Sequence, residues 1–330
     1  MRNHNLFNTK TEAVLTPEEY TFIKEILGAE KKFFYYYKDK YALEVAKLLC
    51  NDTLKISELK KSDFSFLLQK HPLKVILSDL GRDTLTKDDL ERFINPDGKH
   101  FHYTISEWGE YKRHRNDDWF QTSRPGKNLV LQLNFDADHN REYHRLVKPD
   151  KEDHPFVYGG HPTKCKRSYT LAWARLDISL ETGEVLIEEI QNDWLREVRY
   201  WVKRAQQSVE EKEDTSTHWF LGRTSYNALK EYVEDVITSY AKLWDEAALC
   251  LAIQFCKQEL GIERIYYHTF EGGNYLKGLE YSQPPRSLYT KLPRRFGFTE
   301  TEEAPRLLKE ERYLRKKLRK RKLKWFQLLV

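Results

Sequence analysis

Two runs rich in apolar and β-branched residues, 168–179 and 184–191, stand on either side of Glu181-Thr182-Gly183, and no other feature of the chain constrains its fold as strongly. A connection that short joins antiparallel neighbours, so the two runs predict a hairpin. The second run passes through Gln191-Asn192-Asp193 into 194–210, where Trp194, Val198, Trp201, Val202 and Ala205 recur at helical spacing. Residues 100–105, 128–135 and 262–268 carry the same strand-like composition. A mostly antiparallel sheet flanked by helices follows, an α+β architecture.

Three regions are expected: an N-terminal helical region (1–96), an α+β domain (97–305) and a basic C-terminal helix or tail (306–330). In the first, Thr16-Pro17-Glu18-Glu19 is a capping box with proline in the first turn, and Gly28 sits where that helix should stop. Further helices are expected at 41–50, at 57–80 with a break at Pro72, and after Thr86-Lys87-Asp88-Asp89. The aromatics at 33–37 read as a buried or interface cluster. Asn95-Pro96-Asp97-Gly98 is a turn that opens the second region. There, helical spacing at 224–260 follows the polar stretch 210–217 and runs to a stop at Gly261, while Gly272-Gly273 reads as a flexible turn and 288–295 as a short helix.

Composition enters as a set of exclusions. With 40% hydrophobic residues, a mean hydropathy of −0.76 and no apolar run near eighteen residues, no membrane span is expected. The four cysteines lack CxxC spacing, which argues against a disulfide scaffold or a zinc ribbon. The first residues lack an apolar segment ahead of a cleavage site, so a reducing, cytoplasmic setting is the expectation. The formal charge of +5 is uneven: residues 306–325 hold eleven Lys or Arg against two Glu, which leaves the remainder at a net −4. Arg315, Lys316, Lys317, Arg319, Lys320, Arg321 and Lys322 therefore form a candidate surface for nucleic acid or an acidic protein. Tyr313, Leu314, Leu318, Trp325 and Phe326 would supply a helical stripe that docks on the body or on a partner; a membrane surface is the third alternative.

The chemistry-bearing stretch is Val185-Leu186-Ile187-Glu188-Glu189-Ile190-Gln191-Asn192-Asp193-Trp194. Strand alternation puts Val185, Ile187, Glu189, Gln191 and Asp193 on one face. In a straight strand Glu189 and Asp193 would be about 13 Å apart and Glu189 and Gln191 about 7 Å. The first separation exceeds the roughly 5–9.5 Å of glycosidase carboxylate pairs, so that mechanism is not supported. Glu189 and Gln191 are placed to hold a water or polar ligand; the plainer alternative is that Asp193 caps the helix beginning at Trp194. His268 ends the 262–268 strand beside them, a candidate base or ligand. His154, His161 and Cys165 lie close in sequence but offer no fourth metal ligand at a recognisable spacing, and no HExxH, GxSxG or phosphate-loop motif is completed.

Glu188-Glu189-Ile190-Gln191-Asn192-Asp193-Trp194 resembles the EIQSDW signature of a domain found in large polyvalent proteins of phages and mobile elements, with Asn192 in place of serine. Leu171-Ala172-Trp173-Ala174-Arg175, Trp244-Asp245-Glu246-Ala247-Ala248-Leu249, Gly261-Ile262-Glu263-Arg264-Ile265 and Leu288-Tyr289-Thr290-Lys291-Leu292-Pro293 are similar, in order, to further segments of that domain, so the resemblance covers roughly 125–300. The element order also resembles a GNAT-type acyltransferase. That resemblance implies acetyl-CoA where two central strands splay, its pyrophosphate on the N-terminus of the following helix. Mapped by position, it makes Glu189 a candidate base or water holder and Tyr289 a candidate acid. Gln191 and Asp193 are further catalytic candidates beside Glu189, and Trp194 and His268 candidate ligand contacts. The family's glycine phosphate loop is missing, since no glycine occurs between Arg223 and Leu260 and roughly fifty extra residues fill the interval. The resemblance therefore implies the fold without carrying the acyl transfer.

Overall fold

The computed structural model describes residues 15–30, 32–110, 120–150, 154–165, 168–211, 224–280 and 283–329. The first region contains α1 (Pro17–Leu27), β1 (Lys32–Tyr36), α2 (Tyr41–Leu49), β2 (Thr53–Lys55), α3 (Ile56–Leu59), α4 (His71–Asp79), β3 (Thr84–Thr86) and α5 (Lys87–Glu91). Then come β4 (Lys99–Trp108), β5 (Asn128–Asn134), α6 (Ala137–Leu146), β6 (Lys164–Cys165), β7 (Ser168–Ser179), β8 (Glu184–Gln191) and α7 (Asp193–Glu210). The remainder is α8 (Tyr226–Glu231), α9 (Thr238–Ala241), α10 (Trp244–Gln254), β9 (Arg264–His268), α11 (Phe270–Lys277), α12 (Lys291–Arg295), β10 (Thr299–Thr301), α13 (Arg306–Glu310), α14 (Arg312–Lys320) and β11 (Trp325–Leu329).

The main sheet runs β1-β4-β5-β7-β8-β9-β11-β10, with β6 on the start of β7. Every pairing is antiparallel except β8 with β9. The α+β expectation holds. The capping box at Thr16 holds too, its hydroxyl accepting from the Glu19 N–H, and the helix expected after Thr86 opens on a second box, Thr86 accepting from the Asp89 N–H, with the reciprocal carboxylate bonds present in both.

The first region is not purely helical, because β1 pairs with β4, Tyr36 opposite Lys99, which makes Lys32–Tyr36, most of the aromatic run, an edge strand of the sheet. Gly272-Gly273 is not a turn; both lie in α11, where a Cβ on Gly273 would come within 3.1 Å of the His268 side chain. Gly273 thus lets α11 lie close on the end of β9, and Gly272 leaves room for the Thr269 hydroxyl and the Lys324 carbonyl. The C-terminal segment is not one helix either. It divides into α13, α14 and β11, and Trp325 and Phe326 are buried in the sheet, with β11 wedged between β9 and β10. Their alternate side chains serve opposite faces of a strand, a requirement that a helical stripe of the same residues cannot meet. Among the described residues no helix is long and apolar enough to cross a membrane.

The sheet separates two cores. One face packs Leu129, Leu131, Ala174, Leu176, Val185 and Ile187 against α10 and the N-terminal helices. The other carries a smaller cluster in which Leu186 and Tyr266 meet Leu276 of α11, Leu307 and Leu308 of α13, Leu314 of α14 and Trp325. Glu184, buried at the start of β8, accepts from the backbone N–H groups of Arg306 (2.7 Å) and Leu307 (3.3 Å), so α13 is tied to the central hairpin.

Candidate functional site

The antiparallel register of β7 and β8 places Arg175 opposite Glu189 but Leu176 opposite Ile187, so Glu188 is the extra residue of a β-bulge. That one residue resets the alternation. Ile187 and Ile190, three apart, both enter the large core, whereas Glu189 lies across from Arg175 on the opposite face. The face expected to hold Val185, Ile187, Glu189, Gln191 and Asp193 together is therefore divided at Glu188.

On the other side of β8 the parallel ladder with β9 ends at Ile187 and Tyr267, while β8 continues to Gln191. The fork that opens is filled by polar side chains. Glu188, wholly buried, accepts from the Ser123 N–H (3.0 Å), from the Ser123 hydroxyl (3.0 Å) and from His268 Nε2 (3.1 Å). Lys277 reaches in from α11, its Nζ donating to the Glu188 carbonyl at 2.9 Å. Ser123, His268 and Glu188 are the residue types of a hydrolase triad without its wiring. The serine oxygen, 2.8 Å from Nε2, and the carboxylate face the same ring nitrogen, and Nδ1 has no partner among the described residues. His268 is thus a closed-off structural group, not the solvent-facing base that its strand position suggested.

Burial works against the charge on Glu188, but the His268 ring and the Lys277 and Arg175 cations outweigh it and hold the carboxyl down at about 2. Burial likewise pushes His268 and Lys277 below their usual ranges. A carboxyl depressed in the folded state contributes stability that is complete above its unfolded value near 4.5 and drains away as pH falls towards about 2. Denaturant titrations of wild type and Glu188→Gln should differ by roughly 2–3 kcal/mol at neutral pH, and the difference should shrink across that acid window. A difference that stays constant from neutral pH into strong acid would show that the carboxyl is not ionised.

A strap, residues 120–126, crosses this face. Arg175 donates to the carbonyls of Phe120 (2.6 Å) and Gln121 (2.7 Å) and pairs with Glu189 (2.8 Å). Arg124 pairs with Asp177 through three contacts of 2.7–2.9 Å, both side chains 1% exposed. Between the strap, the end of α11 and α14 lies a cleft of about 80 Å³ lined by Gln121, Thr122, Gly278, Tyr313 and Lys317, among others.

The β8–α7 junction supplies the second cluster. Asn192, not Asp193, caps α7, accepting from the Leu195 N–H at 2.8 Å. Its serine-like capping chemistry explains why asparagine serves at this position. Asp193 is thereby released to accept from Trp173 Nε1 (2.9 Å), Gln191 Nε2 (2.7 Å), Arg196 (2.8 Å) and His161 Nδ1 (2.9 Å). Burial opposes its ionisation, yet the bonds from His161 and Trp173 prevail and keep it below the ordinary carboxylate range.

The remaining candidates separate from this cluster. Trp194 is buried among Phe135, His139, Tyr143, Phe156 and Tyr169, and donates to the Tyr232 hydroxyl at 3.0 Å, so it builds core and contacts no solvent-reachable site. Tyr289 is buried against Tyr267, and its hydroxyl has no partner among the described residues. His154 bonds to Tyr169, away from His161, and the side chain of Cys165 lies outside the described residues. Among the described residues no cluster of three metal-ligating side chains occurs.

The surroundings do not fit CoA. The fork is occupied by Ser123, His268 and Lys277, and the Glu188 carbonyl is already bonded. The first turn of α7 presents the ionised Asp193, which repels a pyrophosphate where the helix dipole would otherwise attract one.

His161, Ser123 and Arg124 were missed as members of the site, because their partners are 32, 65 and 53 residues away in sequence and no local spacing marks them. No family model matches the chain, and no curated protein or solved structure matches it either.

Proposed function

We propose that this chain is a GNAT-like scaffold, closed at its acyl-donor fork, that holds nucleic acid on the cationic face of α14. The GNAT-like reading is supported by the strand order β7-β8-β9-β11-β10 with its single parallel pair, and by the helices that separate β8 from β9. The resemblance to phage and mobile-element domains adds a setting in which nucleic acid is abundant.

One observation carries the binding reading. Arg315, Lys316, Arg319, Lys320, Arg321 and Lys322 are exposed, and none forms an ion pair with a carboxylate among the described residues. Elsewhere on this surface exposed arginines do find acids, as Arg286 with Glu271 and Arg145 with Glu231. Leu314, fully buried in the second core, and Leu318 beside it hold α14 down, the former worth about 1.5–3 kcal/mol. Lys317 turns inward instead and donates to the Leu276 carbonyl at 3.1 Å, a cation at the C-terminal end of α11. The result is a rigid row of unneutralised charge at helical spacing, suited to a regular array of phosphates.

Retardation assays with single-stranded and duplex DNA and with RNA should show binding by wild type at low salt. The variant Arg315→Gln/Lys316→Gln/Arg319→Gln/Lys320→Gln should bind at least about tenfold more weakly with an unchanged circular dichroism spectrum. Equal binding by the folded variant would remove α14 from the interface.

A further inference from the structure

We infer that His161, oriented by Asp193, is a hydrogen-bond-accepting site at the end of β8 for a neutral hydroxyl compound, water or an alcohol. This inference does not depend on the α14 reading.

The geometry determines which ring nitrogen is available. Asp193 is 1% exposed and ionised, so it can only accept; the Gln191 amide nitrogen lies 3.1 Å from His161 Nδ1 but is committed to Asp193 at 2.7 Å, and Nδ1, 2.9 Å from Oδ1, carries the ring proton of the neutral imidazole. Nε2 then holds the lone pair, and no hydrogen bond to it occurs among the described residues. A histidine serving structure alone would be expected to use both nitrogens when buried; here the side chain is 22% exposed while the carboxylate behind it is sealed.

The carboxylate is itself held. Trp173 Nε1 occupies Oδ2, while Gln191 and Arg196 share Oδ1 with the histidine. The imidazole leans on the rings of Tyr158 (4.7 Å between centroids), Trp173 (5.6 Å) and Trp108 (6.0 Å), which limits its rotation. Its loop is fastened as well, since Gln132 Nε2 donates to the Pro162 carbonyl at 2.6 Å and Thr163 Oγ1 to the Tyr158 carbonyl at 2.9 Å. This is an oriented base with a positioning carboxylate, at a rim formed by half-exposed Tyr158 and Arg196.

Charge selects the class of compound. Arg196 is the cation at the rim and is already shared between Asp193 and Glu197, so the cluster carries one net negative charge while His161 is neutral. An anion is disfavoured there. The bound hydroxyl keeps its O–H bond and donates it as a hydrogen bond to the Nε2 lone pair, so no covalent bond is made or broken at the site. Asp193 keeps its hydrogen bond from Nδ1–H and so fixes the tautomer that leaves Nε2 free to accept.

Two measurements on the full chain test this. Long-range proton–nitrogen correlation spectra of neutral wild-type protein should show His161 as the Nδ1–H tautomer, and an Nε2–H tautomer would overturn the proposal. Diethyl pyrocarbonate, which a free Nε2 lone pair attacks with loss of ethyl carbonate, should modify His161 at least as fast as the exposed His100. Modification at His161 should fall about tenfold in Asp193→Asn and stay at the wild-type rate in Glu234→Gln, a surface substitution outside the cluster. Protection of His161 while His100 reacts, or equal rates in wild type and folded Asp193→Asn, would also overturn it. Should Asp193→Asn fail to fold, the tautomer and the wild-type reaction rate still decide.

Discussion

Arg124→Leu should cost this protein about 3–5 kcal/mol, the largest loss expected from a single substitution in the strap. The reason lies in what remains behind. Asp177 is 1% exposed on β7, and burial raises its carboxyl to about 6 even with the Arg124 guanidinium, and less strongly Arg175, favouring the ionised form. Removing the arginine strands a carboxylate beneath the strap or forces it to take up a proton. The Ile178 carbonyl, which accepts from Arg124 at 3.1 Å, loses a partner as well. Asp177→Leu should be similarly damaging, since it leaves a buried guanidinium. The double variant Arg124→Leu/Asp177→Leu should recover much of the loss, because no charge is then left uncompensated. Urea denaturation of the three variants measures this directly. A single-variant loss below about 1 kcal/mol would mean that solvent reaches the pair.

The strap matters to function because it closes the second face. It seats Ser123 over Glu188, receives Arg175 at two carbonyls, and lines the cleft beside α14. A loosened strap would expose the β8–β9 fork, so the Arg124 variants are expected to lose the acid-dependent contribution of Glu188 along with global stability.

Much of this architecture could be read from local pattern. The bounds of β7 and β8 coincide with the two runs that flank Glu181-Thr182-Gly183, because β-branched and apolar residues on a pleated hairpin leave a strong periodic trace. The helix starts at Thr16 and Thr86 were legible for the same local reason, a hydroxyl with a carboxylate three residues on. What could not be read depends on distant partners. β1 is a strand because β4 lies beside it, and β11 because it inserts between β9 and β10; neither carries its partner in its own composition.

The candidate site was half legible. Gln191 and Asp193 do meet at the carboxyl end of β8 while Glu189 pairs with Arg175 instead, and the bulge at Glu188, which has no local signature, puts Glu189 on the face opposite Ile187. Sequence position alone favours Asp193 as the cap, whereas Asn192 caps α7. His161 stood among potential metal ligands, and only the fold brings it to Asp193. The basic segment was plain as a charge run, whereas its division into an anchored helix and a buried strand was not, since Leu314, Leu318, Trp325 and Phe326 satisfy a helical stripe as readily as the observed arrangement.

The second large effect concerns that segment and bears most directly on the account as a whole. Each phosphate contact releases counterions, so the slope of log affinity against log salt counts the cations engaged. With four contacts from Arg315, Lys316, Arg319 and Lys320, that slope should be steeper than in the four-fold glutamine variant by about 3.6 on duplex and about 2.8 on a single strand. Between 50 and 200 mM salt those contacts alone should weaken wild-type binding by roughly 50- to 150-fold. The deciding measurement is therefore a fluorescence-anisotropy titration of labelled nucleic acid across that salt range, for wild type and the variant in parallel. A slope difference near three would place the nucleic acid on α14; parallel lines would contradict the central claim, because the exposed cations would then be touching no phosphate.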